Sequence, residues 1–361
     1  MTGCIALLVG IVVFAWSHRA GAPHPRRRRA TVPAVSAIPG VPPDAPATPV
    51  AAPPPPAAAA APVVAPPQPA FKVDIYPRAP ASLLEAQIEL ARRGFSSGAI
   101  DGVAGSQTEK AFRAFQESEE LDSSGRLDPG TRARLQLRSA PLKQMVVDPA
   151  DLARLQPLSQ TWLGKSEQPA LAYATLLELV AERTHAHPNL LRQLNPAFDW
   201  DNPTAGAGLT VPAIDRSSTR GRAAEIRIFL EDRILQARDA DGTLLLHCPV
   251  SIARMAEKRP VGELHVTVAI RNPNYTFDPE VFPESAEGRE LGRKLIIPPG
   301  PNNPVGLVWI GLDRPGYGMH GTPNPEQVGR TESHGCFRLA NWDALALVDL
   351  VWVGLPVFVD P

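Results

Sequence analysis

Near the C-terminal end of the chain, one thiol and two imidazoles are gathered within a short polar stretch. They lie in Met319-His320-Gly321-Thr322 and in Thr331-Glu332-Ser333-His334-Gly335-Cys336-Phe337-Arg338. An ordinary cysteine has a pKa of about 8.5, so only a few per cent is thiolate at neutral pH. A cysteine that acts as a nucleophile therefore needs an imidazole to take its proton or stabilise its anion. Pro323, Pro325 and Gly329 separate His320 from Cys336 and exclude a single helix, so the pair must meet across a strand end, a loop and a return. Gly335 allows a tight turn that directs backbone N–H groups at a developing oxyanion. Asn341-Trp342-Asp343 is expected to cap a helix through about Leu350, whose dipole would favour the thiolate if it points inward. Two other readings compete: a structural cysteine beside a chance histidine, and zinc held by His320, His334 and Cys336. Structural cysteines have little reason to sit in a Gly/Pro-rich loop, and no obvious carboxylate second shell supports zinc. The expectation is a cysteine nucleophile with no metal and no cofactor.

The elements around this loop read as strands. From Arg222 the hydrophobic period becomes two: Ile226, Ile228 and Leu230 alternate with charges, and segments 234–238 and 243–246 flank the turn signal Asp239-Ala240-Asp241-Gly242. Segments 264–270 and 305–310 add strands, and helical patterning is sparse before Asn341. An all-β sandwich or barrel-like domain with one late helix is expected. Cys248, in a strand after Leu244-Leu245-Leu246-His247, reads as a small buried hydrophobe. A Cys248–Cys336 disulfide would silence the nucleophile and is not expected. Asp278, Glu280, Glu284 and Glu287, around Pro279 and Pro283, read as a solvated loop rather than a carboxylate pair for glycoside cleavage.

The block Pro315-Gly316-Tyr317-Gly318-Met319-His320-Gly321-Thr322, followed by Ser333-His334-Gly335-Cys336-Phe337-Arg338-Leu339 and Asn341, resembles the L,D-transpeptidase catalytic domain family of peptidoglycan cross-linking enzymes. The resemblance runs from about Glu225 to Asp360 and includes Cys248-Pro249-Val250-Ser251 and Arg259-Pro260-Val261-Gly262. It implies Cys336 as nucleophile and His320 as general base, oriented by the Gly321 carbonyl. It also implies an oxyanion site at the amides of Gly335 and Cys336. His334, Arg338, Tyr317, Ser333 and Asn341 are the expected substrate-side neighbours. The implied reaction is thioester formation with a tetrapeptide stem, release of D-alanine and transfer of the acyl group to an amine, giving a 3→3 cross-link. Water as acceptor would make it an L,D-carboxypeptidase, and a lysine on a wall-linked protein would make it an anchoring enzyme. An idle catalytic fold on a wall-binding protein is the alternative from another class.

Upstream, residues 77–140 read as a compact helical unit. Ser82 can cap a helix through Arg93, a second helix spans about Ser106 to Glu119, and a third lies near Pro129 to Leu135. Gln87, Leu90, Gly94-Phe95, Ile100-Asp101-Gly102, Gly105, Thr108, Ala111-Phe112, Phe115-Gln116, Gly125, Leu127-Asp128 and Thr131 resemble the three-helix peptidoglycan-binding domain family, which implies wall glycopeptide as partner. Residues 141–220 carry weaker signals. Leu190-Leu191-Arg192-Gln193-Leu194-Asn195-Pro196 and Ala207-Gly208-Leu209-Thr210-Val211-Pro212 resemble the closing part of a lysin motif, although Tyr173-Ala174-Thr175-Leu176 replaces its usual opening. His185 and His187 read as a polar helix end.

Residues 1–29, apolar from Ile5 to Trp16, read as a signal peptide or membrane anchor, because that run is shorter than the roughly 20 residues of a spanning helix. Residues 30–76 are a Pro/Ala-rich linker that cannot bury a core. The formal net charge of -1 gives no argument for nucleic acid, and three cysteines are too few for a disulfide framework. The expected protein is multidomain: a small all-α peptidoglycan-binding domain, an α+β LysM-like segment, and a mainly-β catalytic domain at 221–361. Export to the periplasm or cell envelope is expected, with a membrane tether as one form.

Overall fold

The structure is a computed structural model that describes residues 75–214, 221–282, 284–331 and 335–361. The expected targeting segment and nearly all of the linker lie outside the described residues, as do Ser333 and His334. Among the described residues, no helix is long and apolar enough to cross a membrane.

Three helices open the described chain: α1 (Leu83–Arg92), α2 (Ser106–Ser118) and α3 (Pro129–Arg134). Ser82 caps α1 by accepting from the Glu85 N–H, and Asp128 caps α3 with Pro129 in its first turn. Ala86, Leu90, Phe112, Phe115 and Leu135 form their shared core. Two glutamines tie the turns to that core. Gln87 accepts from the Gly102 N–H at 2.7 Å, and Gln116 accepts from the Gly125 N–H at 2.8 Å. These motif positions hold the fold together.

The middle module contains β1 (Leu142–Val146), α4 (Pro149–Ala153), α5 (Trp162–Glu167), α6 (Leu176–Arg183), α7 (Pro188–Leu194) and β2 (Gly208–Pro212). β1 and β2 pair antiparallel. Thr175 caps α6, and His187 caps α7 by accepting from the Asn189 N–H. Leu176, Val180, Leu191, Leu209 and Val211 build a core that also takes Ile88 and Ile100 from the helical unit, so the two modules pack as one body.

The C-terminal domain is built on strands β3 (Glu225–Phe229), β4 (Ile234–Arg238), β5 (Leu244–Pro249), β6 (Gly262–Arg271), β7 (Tyr275–Phe277), β8 (Leu295–Ile297), β9 (Val308–Leu312), β10 (Gly318–His320), β11 (Phe337–Arg338) and β12 (Pro356–Asp360). Helices α8 (Ala286–Leu291) and α9 (Asn341–Val348) interrupt them. Eight strands form one mixed sheet in the order β11-β10-β9-β6-β12-β3-β4-β5, and β7–β8 is a separate pair. The two edges of the large sheet meet. Ser251, just past β5, bridges Arg338 in β11 through backbone hydrogen bonds of 2.9 and 3.0 Å. Helix α9 touches β5, β6, β9 and β10, so the sheet curls around it. The barrel-like expectation holds. The expected strand at 305–310 starts later, and α8 and the β7–β8 pair were not anticipated from the pattern, since each is too short to show a period.

Candidate active site

Strand β10 carries His320, and β11 runs parallel to it with Met319 opposite Phe337. Met319 and Phe337 enter the barrel core. Strand alternation therefore puts Gly318, His320, Cys336 and Arg338 on the other face. On that face His320 lies opposite Trp309 of β9, and their rings stack with centroids 5.8 Å apart. Gly318 makes room for this stack, because a Cβ there would meet the Trp309 ring at 2.7 Å. His320 and Cys336 thus lie on one face of two adjacent short strands.

His320 is buried, and its Nδ1 lies 2.7 Å from the Gly321 carbonyl oxygen. A carbonyl only accepts, so Nδ1 carries the proton and Nε2 keeps a free lone pair. Burial pushes the His320 pKa down to about 4, against the Gly321 hydrogen bond, which raises it. Cys336 is half-buried, and its thiol donates to the Gly316 carbonyl at 3.4 Å. Burial pushes this thiol up to about 11, with a Gly318 backbone hydrogen bond and the Arg338 charge acting the other way. Both groups are therefore neutral at pH 7. Desolvation is the largest influence on the thiol, and it raises the pKa. Cys248 is buried in the barrel core, and no disulfide joins it to Cys336.

Tyr317 lies at the β9–β10 turn, under the Arg314 guanidinium at 4.7 Å and beside Gly335. Arg338 is half-buried, and its backbone closes the barrel on Ser251. Asn341 does not face a substrate, contrary to expectation. It is fully buried: its Oδ1 accepts from the Leu307 N–H at 3.0 Å, and its Nδ2 donates to Glu182 Oε2 at 3.0 Å. Nor does it cap α9, whose N-cap is Ala340 with no side-chain bond. The residue acts as an internal brace because its amide is consumed on both ends.

Tyr275 was missed. It is buried at the end of β7 in a cluster with Trp309 that Cys336 borders, and its hydroxyl is pushed up by burial and by the nearby Cys336. No sequence motif surrounds it. Glu287 was read as solvated, yet it accepts from the N–H groups of Trp162 and Leu163, both at 2.8 Å. It thereby caps α5 from the catalytic domain. Among the described residues, no group of three or more His, Cys, Asp or Glu side chains is arranged to hold a metal ion.

Comparison with known proteins bears on this geometry. Residues 223–359 match the YkuD family, described as "L,D-transpeptidase catalytic domain", and residues 80–135 match "Putative peptidoglycan binding domain". The C-terminal domain matches the L,D-transpeptidase catalytic domain family. It is 27% identical over 185 residues to the Bacillus licheniformis protein named "Putative L,D-transpeptidase YkuD", covering 51% of this chain and 93% of that one. It is 33% identical over 115 residues to the Bacillus subtilis protein named "Putative L,D-transpeptidase YqjB", covering 30% of this chain and 56% of that one. A solved L,D-transpeptidase from Mycobacterium smegmatis is 20% identical, with a TM-score of 0.30, over 38% of this chain and 58% of that one. The C-terminal domain is accordingly that of a cell-wall acyltransferase family that works through a cysteine thioester, preceded by a peptidoglycan-binding domain. These two family matches do not extend into residues 141–220, the range of the LysM-like expectation.

Proposed function

We propose that this protein is an exported L,D-transpeptidase in which Cys336 is the nucleophile and His320 the general base. The observation that carries the assignment of roles is His320 Nδ1 held on the Gly321 carbonyl, which leaves Nε2 to receive a proton on the face shared with Cys336. Because thiol and imidazole rest neutral, the proton moves from Sγ to Nε2 as the sulfur attacks the carbonyl of the third residue of a tetrapeptide stem. The amides of Gly335 and Cys336 receive the oxyanion. Collapse of the intermediate breaks the peptide bond, and the imidazolium returns its proton to the departing D-alanine amine. A stem amine then attacks the thioester, His320 takes its proton, and the thiol is regenerated with a 3→3 cross-link formed. Arg338, Tyr317, His334 and Ser333 are assigned to the substrate side. The helical module at 77–140 would hold wall glycopeptide near the site, and residues 1–29 and 30–76 would serve as export segment and tether in the cell envelope.

The test is incubation of the full chain with a carbapenem, read by intact mass, and with a disaccharide-tetrapeptide. A stoichiometric adduct lost in Cys336→Ala, together with a cross-linked dimer, is expected. An unmodified wild-type protein overturns the enzyme assignment, while tripeptide without dimer replaces transfer with carboxypeptidase activity.

A further inference from the structure

The first turn of α9 is held by both upstream modules. Asn341 donates to Glu182 of α6, the Trp342 ring stacks on His185 at 5.0 Å, and Asp343 accepts from the Ser96 hydroxyl at 2.9 Å. The first of these links runs toward His320. Asn341 lies against Gly321 so closely that a Cβ on that glycine would sit 2.1 Å from Asn341 Oδ1. The same Oδ1 accepts from Leu307, and the Gly321 N–H donates to the Val308 carbonyl at 3.2 Å. The amide thus packs Gly321 against the β9 entry, and the Gly321 carbonyl holds the His320 ring. What fixes the amide is its Nδ2 end, which donates to Glu182 Oε2 at 3.0 Å and to the Pro301 carbonyl at 3.3 Å. Glu182 is held in turn by the Tyr173 hydroxyl on Oε1 at 3.1 Å.

We infer that Glu182 is a positioning residue for the transpeptidase reaction, supplied by the middle module: it orients Asn341, Asn341 seats the Gly321 peptide, and Gly321 aims the His320 imidazole at Cys336. This rests on the assignment of His320 as base. A general base gains its effect from geometry within a fraction of an ångström, so a relay that moves the Gly321 carbonyl acts on the rate and not on binding. The protonation state of Glu182 is part of the device. As a carboxylate it accepts from both Asn341 and Tyr173. Once protonated, it loses the charge-assisted bond to Asn341, and its O–H is accommodated only where the Tyr173 hydroxyl turns to accept. Burial raises its pKa to about 7, opposed by the Asn341 and Tyr173 hydrogen bonds and aided by Glu178 one turn earlier. Glu326 and Arg192 line the same cleft, Asp343 lies two residues beyond Asn341, and His185 follows Glu182 on the far side of the Trp342 stack. Tyr173 is pushed up and out of the working range by burial.

Carbapenem acylation of the full chain, resolved into kinact and KI between pH 5.5 and 8.5, tests this. In the wild type, kinact is expected to fall as pH drops through about 7, with KI unchanged. In Glu182→Gln the fall is absent, and kinact is about tenfold lower throughout, as for a misplacement of well under 1 Å. Arg183→Gln, next on α6 and paired only to Asp151 of the middle module among the ion pairs described, is expected to acylate at the wild-type rate. A flat wild-type profile across pH 7, or a folded Glu182→Gln at wild-type kinact, overturns the inference. Should Glu182→Gln not fold, the wild-type profile alone decides it. A wild type with no adduct at all fails the functional assignment instead, so the two failures are distinguishable.

Discussion

The strand pair that carries His320 and Cys336 and the middle module that supports it are opposite kinds of region. In the first, the proposed chemistry is local: a few residues around β10 and β11, set by alternation and one parallel register, put His320 and Cys336 on one face. In the second, each side chain has an ordinary local job, and the consequence appears far away. Glu182 belongs to a short amphipathic helix, yet its carboxylate ends on an amide 159 positions later in the chain. A site can therefore be announced by a compact motif while the precision of that site is supplied from elsewhere.

The sharpest way to break this division is at the base itself. His320→Gln keeps size and one polar end but cannot accept and return a proton. Acylation by a carbapenem is expected to slow by about 10²- to 10⁴-fold, with the folded state retained. Retention of more than a tenth of the wild-type rate would mean that another group takes the proton, and the local motif would lose its claim.

How far the sequence was readable follows the same line. The helical module was legible because its caps and turns are chemical signals: Ser82, Asp128 and Gly105 sit at helix starts, and Gln87 and Gln116 are spent on nearby turns. The barrel was legible as period-two strands. Its closure through Ser251 and Arg338 was not, because a single bridge between distant edges leaves no pattern. Cys336 and His320 stand out by type and spacing, and the strand register sets them on one face. Asn341 was noticed for the right reason, its place in the motif, and given the wrong work, since only burial distinguishes a brace from a substrate contact. Tyr275, Glu182 and Glu287 were illegible: Tyr275 belongs to a strand too short to show a period, and the other two act across a module contact, which neither periodicity nor spacing encodes.

The next test works at the joint between the two regions. Gly321→Ala leaves His320, Cys336 and Glu182 in place, but its Cβ would fall 2.1 Å from Asn341 Oδ1 and 3.2 Å from the Leu307 nitrogen. Neither neighbour is the loose end of a long side chain, so the Gly321 peptide must shift and carry its carbonyl away from His320. A loss of about 10²-fold in kinact is expected, with KI nearly unchanged. Combined with Glu182→Gln, the loss should be less than the product of the two, since both variants damage one relay. Multiplicative losses would place Glu182 and Gly321 on separate paths, and the long-range support would have to run through another contact.

The smallest effect is expected where the middle module packs without reaching the relay. Trp162 stacks on Phe277 of β7 at 4.3 Å and lies 6.3 Å from Tyr275, which borders Cys336. Its backbone N–H is held by Glu287, so the ring can be removed while the segment stays anchored. Trp162→Ala deletes a half-buried ring and its stacking contact with Phe277. That should cost about 2–3 kcal/mol, less than a fully buried tryptophan, and be read as a lower denaturation midpoint. Acylation measured well below that midpoint is expected to change less than threefold, because packing on the β7–β8 pair supplies stability while the Glu182–Asn341–Gly321 relay supplies alignment. A large loss of kinact with little change in stability would reverse this, making the hairpin contact, and not the buried amide, the route by which the middle module reaches the reacting groups.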